Sequence, residues 1–119
     1  MQDIQRGSIT YRFMEMIWEN QPIRSTELIR MAGEAFHWKK PTTYTVLRRL
    51  IEKELVSNEK SVVTATVTKE EFLAAQSERF VEENFGGSLP MFLVAFNMCH
   101  KLSEEDLKAL RKLIDEAEV

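Results

Sequence analysis

The sequence predicts a mainly α-helical fold with one small β-hairpin. Hydrophobic residues recur at helical spacing before residue 55 and after residue 68, whereas residues 61–68 form a run of β-branched side chains typical of a strand. The composition agrees, because 44% hydrophobic and 29% charged residues with only four glycines and three prolines are typical of a folded helical protein. At 119 residues, the chain has room for one domain or for a small domain with an appended element.

The first two predicted helices are separated by a short link that contains a proline. Ile9, Phe13 and Ile17 share one face of the first helix, and Pro22 ends it. Ser25 is predicted to cap the second helix through its hydroxyl group. Apolar residues between positions 28 and 36 then repeat along one side, which indicates a helix with a single buried face.

A third helix is predicted from about Thr42 to Glu54, with Pro41 in its opening turn, where a missing N–H costs nothing. The residues predicted to face inward are Val46, Leu47, Leu50 and Ile51. The polar and basic side chains of the helix and its approach are left for the outside or the flanks, and they are Lys39, Lys40, Thr42, Thr43, Tyr44, Thr45, Arg48 and Arg49.

The rest of the chain predicts a hairpin and three more helices. Residues 55–60 and 61–68 form the hairpin, and Thr68 with Glu71 is a capping-box signature that starts the fourth helix. Two glycines at 86–87 end that helix, Ser88 starts the fifth, and Ser103 starts the sixth. This order predicts a winged helix-turn-helix DNA-binding domain over residues 1–68 and a C-terminal three-helix dimerisation region over residues 69–119.

The net charge of -3 argues against a uniformly basic nucleic-acid binder, but the charge is unevenly distributed. Residues 1–68 carry 10 basic and 8 acidic side chains, residues 69–119 carry 6 and 11, and residues 36–60 carry 6 and 3. Counterion release depends on the local charge at the interface. The outward side chains of the third helix are therefore predicted to contact double-stranded DNA, and the alternative is an ordinary solvated helix in a small α+β domain.

The fifth predicted helix has almost no polar face, so several surfaces must cover it. A second copy of the chain across a two-fold axis is the simplest cover, and the alternative is a monomer that packs this helix on the N-terminal domain. The residues predicted to form the homodimer are Phe72, Phe80, Leu89, Phe92, Leu93, Phe96, Leu107, Leu110 and Ile114.

The sequence contains no catalytic constellation, and we predict neither an enzyme nor a bound metal or cofactor. Cys99 is the only cysteine, so an intrachain disulfide is excluded, and we interpret it as a core residue. His37 and His100 lie at no metal-ligand spacing from each other or from Cys99. No apolar run approaches the roughly 20 residues of a membrane span, which predicts a cytoplasmic protein without membrane insertion.

The order of these features resembles the penicillinase-repressor and methicillin-resistance-repressor family of bacterial winged-helix regulators, which also includes copper-responsive repressors. The resemblance rests on Trp38, Thr42, Thr45 and Arg49, and on residues 14–18, 68–72, 85–89 and 102–107. It implies a homodimeric repressor that binds a palindromic operator, often controlling antibiotic-resistance genes. It also implies that Thr42, Thr45 and Arg49 contact the major groove and that the last three helices form the dimer.

The resemblance further implies a control mechanism. Penicillinase-type members are cleaved in the fifth helix after a membrane metallopeptidase sensor detects a β-lactam. The corresponding bond joins Ala95 and Phe96, although the family has asparagine at the position of Ala95. The cysteines of the copper-responsive branch are missing from this sequence, so copper sensing by that route is not expected.

Other departures concern the third helix and the hairpin. Tyr44 stands where the family has a basic residue, and the hairpin is shorter and lacks the family's glycine and basic residues. Glu54 replaces a glycine, and because glutamate is strained in a left-handed cap, we expect the helix to end differently. The rival functional hypothesis is a protein-interaction module without DNA binding, in which Tyr44 and the hairpin contact a protein. A weaker third hypothesis is metal or redox sensing through Cys99.

Overall fold

A computed structural model describes residues 8–117. The described residues fall into two compact units that divide within one helix, between Gln76 and Ser77. The elements are α1 Ile9–Asn20, β1 Ile23–Arg24, α2 Ser25–Phe36, α3 Lys40–Glu52, β2 Val56–Glu59, β3 Val62–Ala65, α4 Lys69–Phe85, α5 Leu89–Cys99 and α6 Glu104–Glu116. The prediction of a mainly helical fold with a small wing is confirmed.

The N-terminal unit contains a closed hydrophobic core. Helix α1 is capped by Ser8, whose Oγ accepts a hydrogen bond from the Tyr11 backbone N–H at 3.1 Å. Its buried face then packs against α2, α3 and the sheet, so burial of apolar area stabilises all four elements together. The buried hydrophobic residues are Tyr11, Phe13, Met14, Ile17, Ile23, Leu28, Ala32, Leu47, Leu50, Val56, Val63 and Phe72.

The sheet has three antiparallel strands in the order β1-β3-β2, so the predicted hairpin is confirmed and one strand was missed. The missed strand β1 has only two residues, and it is a strand because it pairs with β3 rather than because of its own sequence. The hairpin turns at Lys60 and Ser61, with φ angles of 52° and 66°. Two consecutive positive φ values define the tight type I′ turn that suits the twist of a two-stranded ribbon.

Most predicted helix caps are confirmed, and one is wrong. Thr68 and Glu71 form the reciprocal bonds of a capping box at 2.9 and 3.0 Å, and Ser103 forms another at the start of α6. Ser25 is not a cap: it is the first residue of α2, it is buried, and the capping position is Arg24, whose side chain makes no capping bond. The extended backbone needed to pair β1 with β3 ends one residue before Ser25 and so fixes the start of the helix.

Helix α3 ends in the left-handed cap that we had not expected of a glutamate. Glu54 has a φ of 62°, the Leu55 N–H donates to the Leu50 carbonyl, and the Glu54 N–H donates to the Ile51 carbonyl, both at 2.9 Å. These two bonds are a Schellman motif. The expectation that the helix ends differently is therefore wrong, because Leu55 must return to the core at this point and the backbone accepts the strain.

The C-terminal unit contains the last turns of α4 together with α5 and α6. Phenylalanine rings form a row that links α4 to α5, with centroid separations of 6.1 Å for Phe80–Phe85, 5.6 Å for Phe85–Phe92 and 6.0 Å for Phe92–Phe96. Nevertheless, α5 and α6, both within the described range, contain no buried residue. The interpretation of Cys99 as a core residue is wrong for the single chain, because its side chain lies exposed at the end of α5.

Phe72 was predicted to take part in dimerisation, but it lies in the core of the N-terminal unit. Only 6% of its surface is exposed, and its ring packs on Tyr11 at 6.1 Å and on Trp18 at 5.5 Å. The first turns of α4 thus belong to the core of the N-terminal unit, while the functional boundary between residues 68 and 69 stays a prediction. No helix among residues 8–117 combines the length and the apolar character that crossing a bilayer requires.

Candidate nucleic-acid interface

A three-residue turn, residues 37–39, sets the direction of α3 relative to α2. His37 adopts a left-handed conformation with φ 60° and ψ 31°, and its N–H donates to the Gly33 carbonyl at 3.1 Å. Trp38 then packs on Phe13 and Phe36, with ring centroids 5.3 and 4.9 Å apart. Aromatic packing on both sides of the turn holds the two helices as a helix-turn-helix unit.

The inner face of α3 is formed by Thr43, Leu47 and Leu50, which follow the i, i+4, i+7 spacing of one helical stripe. Thr43 has no exposed surface, and its Oγ1 is 3.5 Å from the Lys39 carbonyl oxygen. We predicted this side chain among the DNA contacts, and the structure corrects that prediction because the buried side chain is out of reach of a ligand. Ile51, predicted to face inward, is instead 36% exposed in a shallow groove beside β2.

The outer face of α3 and its approach carry the other seven predicted contact residues. They form one polar and basic surface, on which six side chains are exposed and Thr45 is partly buried. The seven residues are Lys39, Lys40, Thr42, Tyr44, Thr45, Arg48 and Arg49. No acidic residue occurs between positions 35 and 51. The four cations of this surface are Lys39, Lys40, Arg48 and Arg49. None of them takes part in an ion pair within residues 8–117, so their charge is not neutralised by such a pair.

Helix α2 shows the opposite arrangement. Arg30 is hydrogen-bonded to Glu27 and also bonds Glu34 at 2.8 Å. The hydrogen bond from Arg30 lowers the pKa of Glu27, and the same bond raises the pKa of Arg30 above its ordinary value. The one cation of α2 is therefore paired within the helix, whereas the cations of α3 are available to a partner of opposite sign.

Thr45 is restricted in what it can offer a ligand. Its Oγ1 donates to the Pro41 carbonyl oxygen at 2.9 Å, so the hydroxyl proton is engaged inside the helix. A phosphate oxygen needs a donor, and Thr45 has none free. Its methyl group and its hydroxyl lone pairs remain, and a threonine methyl can make apolar contact with the methyl group of thymine.

Arg12 is a cation near the turn that the sequence did not single out. Its guanidinium carbon lies 5.2 Å from the centroid of the Phe36 ring, within the range of a cation–π contact. In the sequence, the whole of α2 lies between Arg12 and α3. Only the packing of α1 on the turn between α2 and α3 shows that Arg12 lies near that turn. No pattern of spacing in the sequence could have identified it.

The wing differs from α3 because its charges are mixed. Its tip carries Lys60 next to Glu59, and the hydroxyl groups of Ser57 and Thr64 bond each other across the two strands at 2.9 Å. The polar side chains in the middle of the hairpin are thus used to hold the strands together. Glu54 and Glu59 both line the groove beside β2. Because their negative charges repel phosphate, this side of the wing is unsuited to phosphate contact.

A second surface lies on α5 and α6, where large apolar side chains are exposed. Of the predicted dimerisation residues, Leu89, Phe96, Leu107 and Ile114 are exposed, whereas Phe80, Phe92, Leu93 and Leu110 are partly buried within the unit. Ile114, from the predicted set, is 68% exposed, and three further highly exposed apolar residues were not in that set: Met98 is 81% exposed, Val94 65% and Leu113 64%. Exposed apolar residues grouped in this way are the kind of surface that proteins bury against a partner.

Residues 8–117 contain no group of three histidine, cysteine or carboxylate side chains placed to hold a metal ion. The predicted cleavage pair, Ala95 and Phe96, lies within α5, where Ala95 is partly buried and Phe96 is exposed.

Comparison with known proteins supports one family. The family model for the penicillinase repressor matches residues 7–116, which cover both compact units and nearly the whole chain. A comparison with curated proteins finds no match. The match agrees with the element order and with the helix-turn-helix geometry, and the suspected resemblance is confirmed. The chain therefore belongs to the penicillinase repressor family.

Proposed function

We propose that this protein is a homodimeric transcriptional repressor that binds a palindromic DNA operator through α3. Membership of the penicillinase repressor family supports DNA binding and repression. The homodimer, the operator symmetry and the individual contact residues form the finer part of the proposal. Two half-sites spaced by a dimer supply both affinity and register, which one short helix lacks.

The observation that carries the DNA assignment is the unneutralised face of α3. Four exposed cations lie on or next to this helix and take part in no ion pair among residues 8–117, while Arg30 on α2 is paired twice. The buried stripe beginning at Thr43 fixes which side of α3 faces outward. Arg48 and Arg49 can then bond phosphates or guanine edges, and Thr45 can offer its methyl group to thymine.

The dimer is supported by the apolar surface of the C-terminal unit. Val94, Met98 and Leu113 expose most of their side-chain area in the single chain. Burying a side chain of this size stabilises an interface by about 1.5–3 kcal/mol. A two-fold axis buries each residue twice, so a few such side chains are sufficient for a stable homodimer.

Cleavage between Ala95 and Phe96 is the proposed means of releasing the operator. The Phe96 ring packs on Phe92 at 6.0 Å and on His100 at 5.2 Å, so a cut here separates the aromatic row of α5 from α6. Loss of the dimer removes the bivalent hold on two half-sites. A membrane metallopeptidase sensor is the partner that this proposal implies.

The test is a selection from random DNA duplexes followed by titration of the enriched sequence. We expect the wild-type protein to enrich a palindrome. Arg49→Gln should weaken binding to it by about tenfold or more, because a bidentate arginine–guanine contact contributes about 1–3 kcal/mol. The matched control is Arg111→Gln, which removes the same charge from the exposed surface of α6 and should leave the affinity unchanged.

Two results would contradict the proposal. One is failure of the wild-type protein to enrich any palindrome, and the other is equal affinity for the Arg49→Gln and Arg111→Gln variants. If binding of a protein partner is instead independent of salt and lost on Tyr44→Ala, the protein-interaction hypothesis replaces the DNA assignment.

A further inference from the structure

We propose that the groove beside β2 binds an extended, positively charged segment of another protein, which adds a strand to the free edge of β2. The groove is lined by Ile51 and Glu54 at the end of α3, by residues 56–59 and by Thr66. None of these residues belongs to the predicted DNA-contact set. The site is therefore separate from the surface assigned to DNA, and its occupant does not depend on the proposed function.

Strand β2 has a free edge. In the sheet formed by residues 8–117 the strand order is β1-β3-β2, so β2 is paired with β3 on one side only. The unpaired side of an edge strand presents backbone N–H and C=O groups that can bond another strand. The groove lies beside this four-residue strand, which makes both available to one ligand.

The register shows which backbone groups point to the free edge. Opposed residues of antiparallel strands alternate between pairs that exchange hydrogen bonds and pairs that do not. The Thr66 N–H donates to the Leu55 carbonyl oxygen at 2.9 Å, so Asn58, further along β2, falls in a pair that exchanges none. By the same alternation the Ala65 N–H turns away from β2 and bonds Oε1 of Gln21 at 2.8 Å. The N–H and C=O of Asn58, an exposed residue, are thus open to an added strand.

Hydrogen bonds hold the end of α3 and the strand ends together, so the groove is preformed. The Glu54 N–H donates to the Ile51 carbonyl oxygen at 2.9 Å, and the Glu54 carbonyl oxygen accepts from Oγ1 of Thr66 at 2.6 Å. These bonds connect residues that line the groove from the end of α3 and from the end of the hairpin. A preformed groove loses little conformational entropy when it binds a ligand.

The groove combines negative charge with apolar surface. Glu54 and Glu59 are both exposed, and neither takes part in an ion pair among residues 8–117. Ile51, 36% exposed, adds apolar surface in the same groove. The cations adjacent in sequence, Lys53 and Lys60, do not line it. Basic side chains of an added strand can therefore pair with the two glutamates while an apolar side chain contacts Ile51.

Charge complementarity selects a basic protein segment over the other occupants. DNA phosphates are repelled by Glu54 and Glu59. Two copies of this chain that paired along β2 would bring these carboxylates of both copies together, and like charges at short distance repel each other. When a strand is added to a sheet edge, main-chain bonds give affinity and alternate side chains give specificity. The expected occupant is a segment in which basic and apolar residues alternate.

The probe is a fluorescein-labelled peptide, Lys-Val-Lys-Val-Lys-Val-Lys, into which the full-length protein is titrated while anisotropy is measured. Glu54→Gln combined with Glu59→Gln should weaken binding by about fivefold, because ion pairs at an exposed site each contribute modestly. The matched control is Glu19→Gln combined with Glu70→Gln. It removes two exposed carboxylates of the same unit that do not line the groove, and it should leave the affinity unchanged.

Two further measurements test the added strand. Replacing the central valine of the peptide by proline removes a backbone donor and should weaken binding by about tenfold. In nitrogen-15 NMR spectra of the wild-type protein, the peptide should shift the backbone amide signal of Asn58 and slow its hydrogen exchange.

The results expected above, taken together, support the proposal. Equal affinity of the two double variants would overturn it, as would equal binding of the proline peptide or an Asn58 amide signal that the peptide leaves unchanged. Protection of the Asn58 amide that rises with protein concentration in the absence of peptide would show that a second copy occupies the groove, and would also overturn the proposal.

Discussion

The two units of the chain treat similar hydrophobic side chains in opposite ways. In the N-terminal unit, α1, α2, α3, the sheet and the first turns of α4 bury a dozen hydrophobic residues, including Leu47. In the C-terminal unit, α5 and α6 bury none of their residues, and Leu113 lies exposed. Hydrophobic content alone thus does not separate a closed core from an exposed apolar face. The number of elements that surround each helix determines whether its hydrophobic residues are buried.

The charge distribution follows the same division. The basic excess of residues 36–60 lies in the N-terminal unit, whose hydrophobic core is closed. The acidic excess lies in the C-terminal unit, whose apolar side chains are exposed. A closed unit can present its charged surface to DNA, because its apolar residues are already covered. An acidic unit with an apolar face is suited to a protein partner and is repelled by DNA phosphates.

The largest expected effect contrasts one leucine from each unit. Leu47→Ala should destabilise the N-terminal unit by about 2–5 kcal/mol, because it leaves a cavity in a packed core. Leu113→Ala should leave the unfolding midpoint of that unit unchanged. Both tryptophans, Trp18 and Trp38, lie in the N-terminal unit, so their fluorescence during urea unfolding reports it selectively. Equal destabilisation by both variants would remove the distinction between the units.

The next effect concerns self-association. Leu113→Gln combined with Ile114→Gln should raise the dimer dissociation constant by about a hundredfold or more, since each dimer loses four apolar side chains from its interface. Sedimentation equilibrium provides the measurement. Arg111→Gln combined with Lys112→Gln changes the same number of residues on α6 and should leave the dissociation constant unaltered. A wild-type protein that sediments as a monomer would rule out the interface.

The sequence predicted the elements whose signals are local. The capping box at Thr68, the cap at Ser103 and the helix stop before Gly86 depend on a few neighbouring residues, and the structure has them as predicted. The run of β-branched residues between positions 61 and 68 likewise predicted a strand, and β3 occupies Val62–Ala65 within it. Most of the outer face of α3 was predictable because its buried stripe follows the helical period.

Features that depend on tertiary packing could not be predicted. Strand β1 exists only through its pairing with β3, which also places the capping position of α2 at Arg24, one residue before Ser25. Thr43 is polar, but its position above Leu47 places it in the buried stripe, and residue type misled the prediction. Cys99 was assigned to the core from its apolar neighbours, although the single chain provides nothing that covers it.

A smaller effect separates the two adjacent threonines of α3. Thr42→Val should weaken operator binding by about 1 kcal/mol, because it removes an exposed hydroxyl group that can bond the DNA. Thr43→Val should leave the affinity unchanged, because that side chain is buried. Fluorescence anisotropy with labelled operator measures both. A loss of affinity confined to Thr43→Val would show that the face of α3 has been assigned incorrectly.

The smallest effect tests the strained end of α3. Glu54→Gly should stabilise the N-terminal unit by about 0.5–1 kcal/mol, because glycine adopts the left-handed conformation without the steric cost that glutamate bears. Lys53→Gly is the control, since Lys53 has a φ of -85° and gains nothing from glycine. Urea unfolding measures both changes. Destabilisation by Glu54→Gly would indicate that Glu54 makes a compensating contact.

The division into a DNA-binding unit and a dimerising unit is tested most directly by comparing palindrome and half-site binding. The Leu113→Gln/Ile114→Gln variant and the wild-type protein are titrated by anisotropy against the selected palindrome and against one half of it. We expect the variant to lose the wild-type preference for the palindrome while binding the half-site as the wild-type protein does. An equal loss on both DNAs, or no loss on either, would contradict the account.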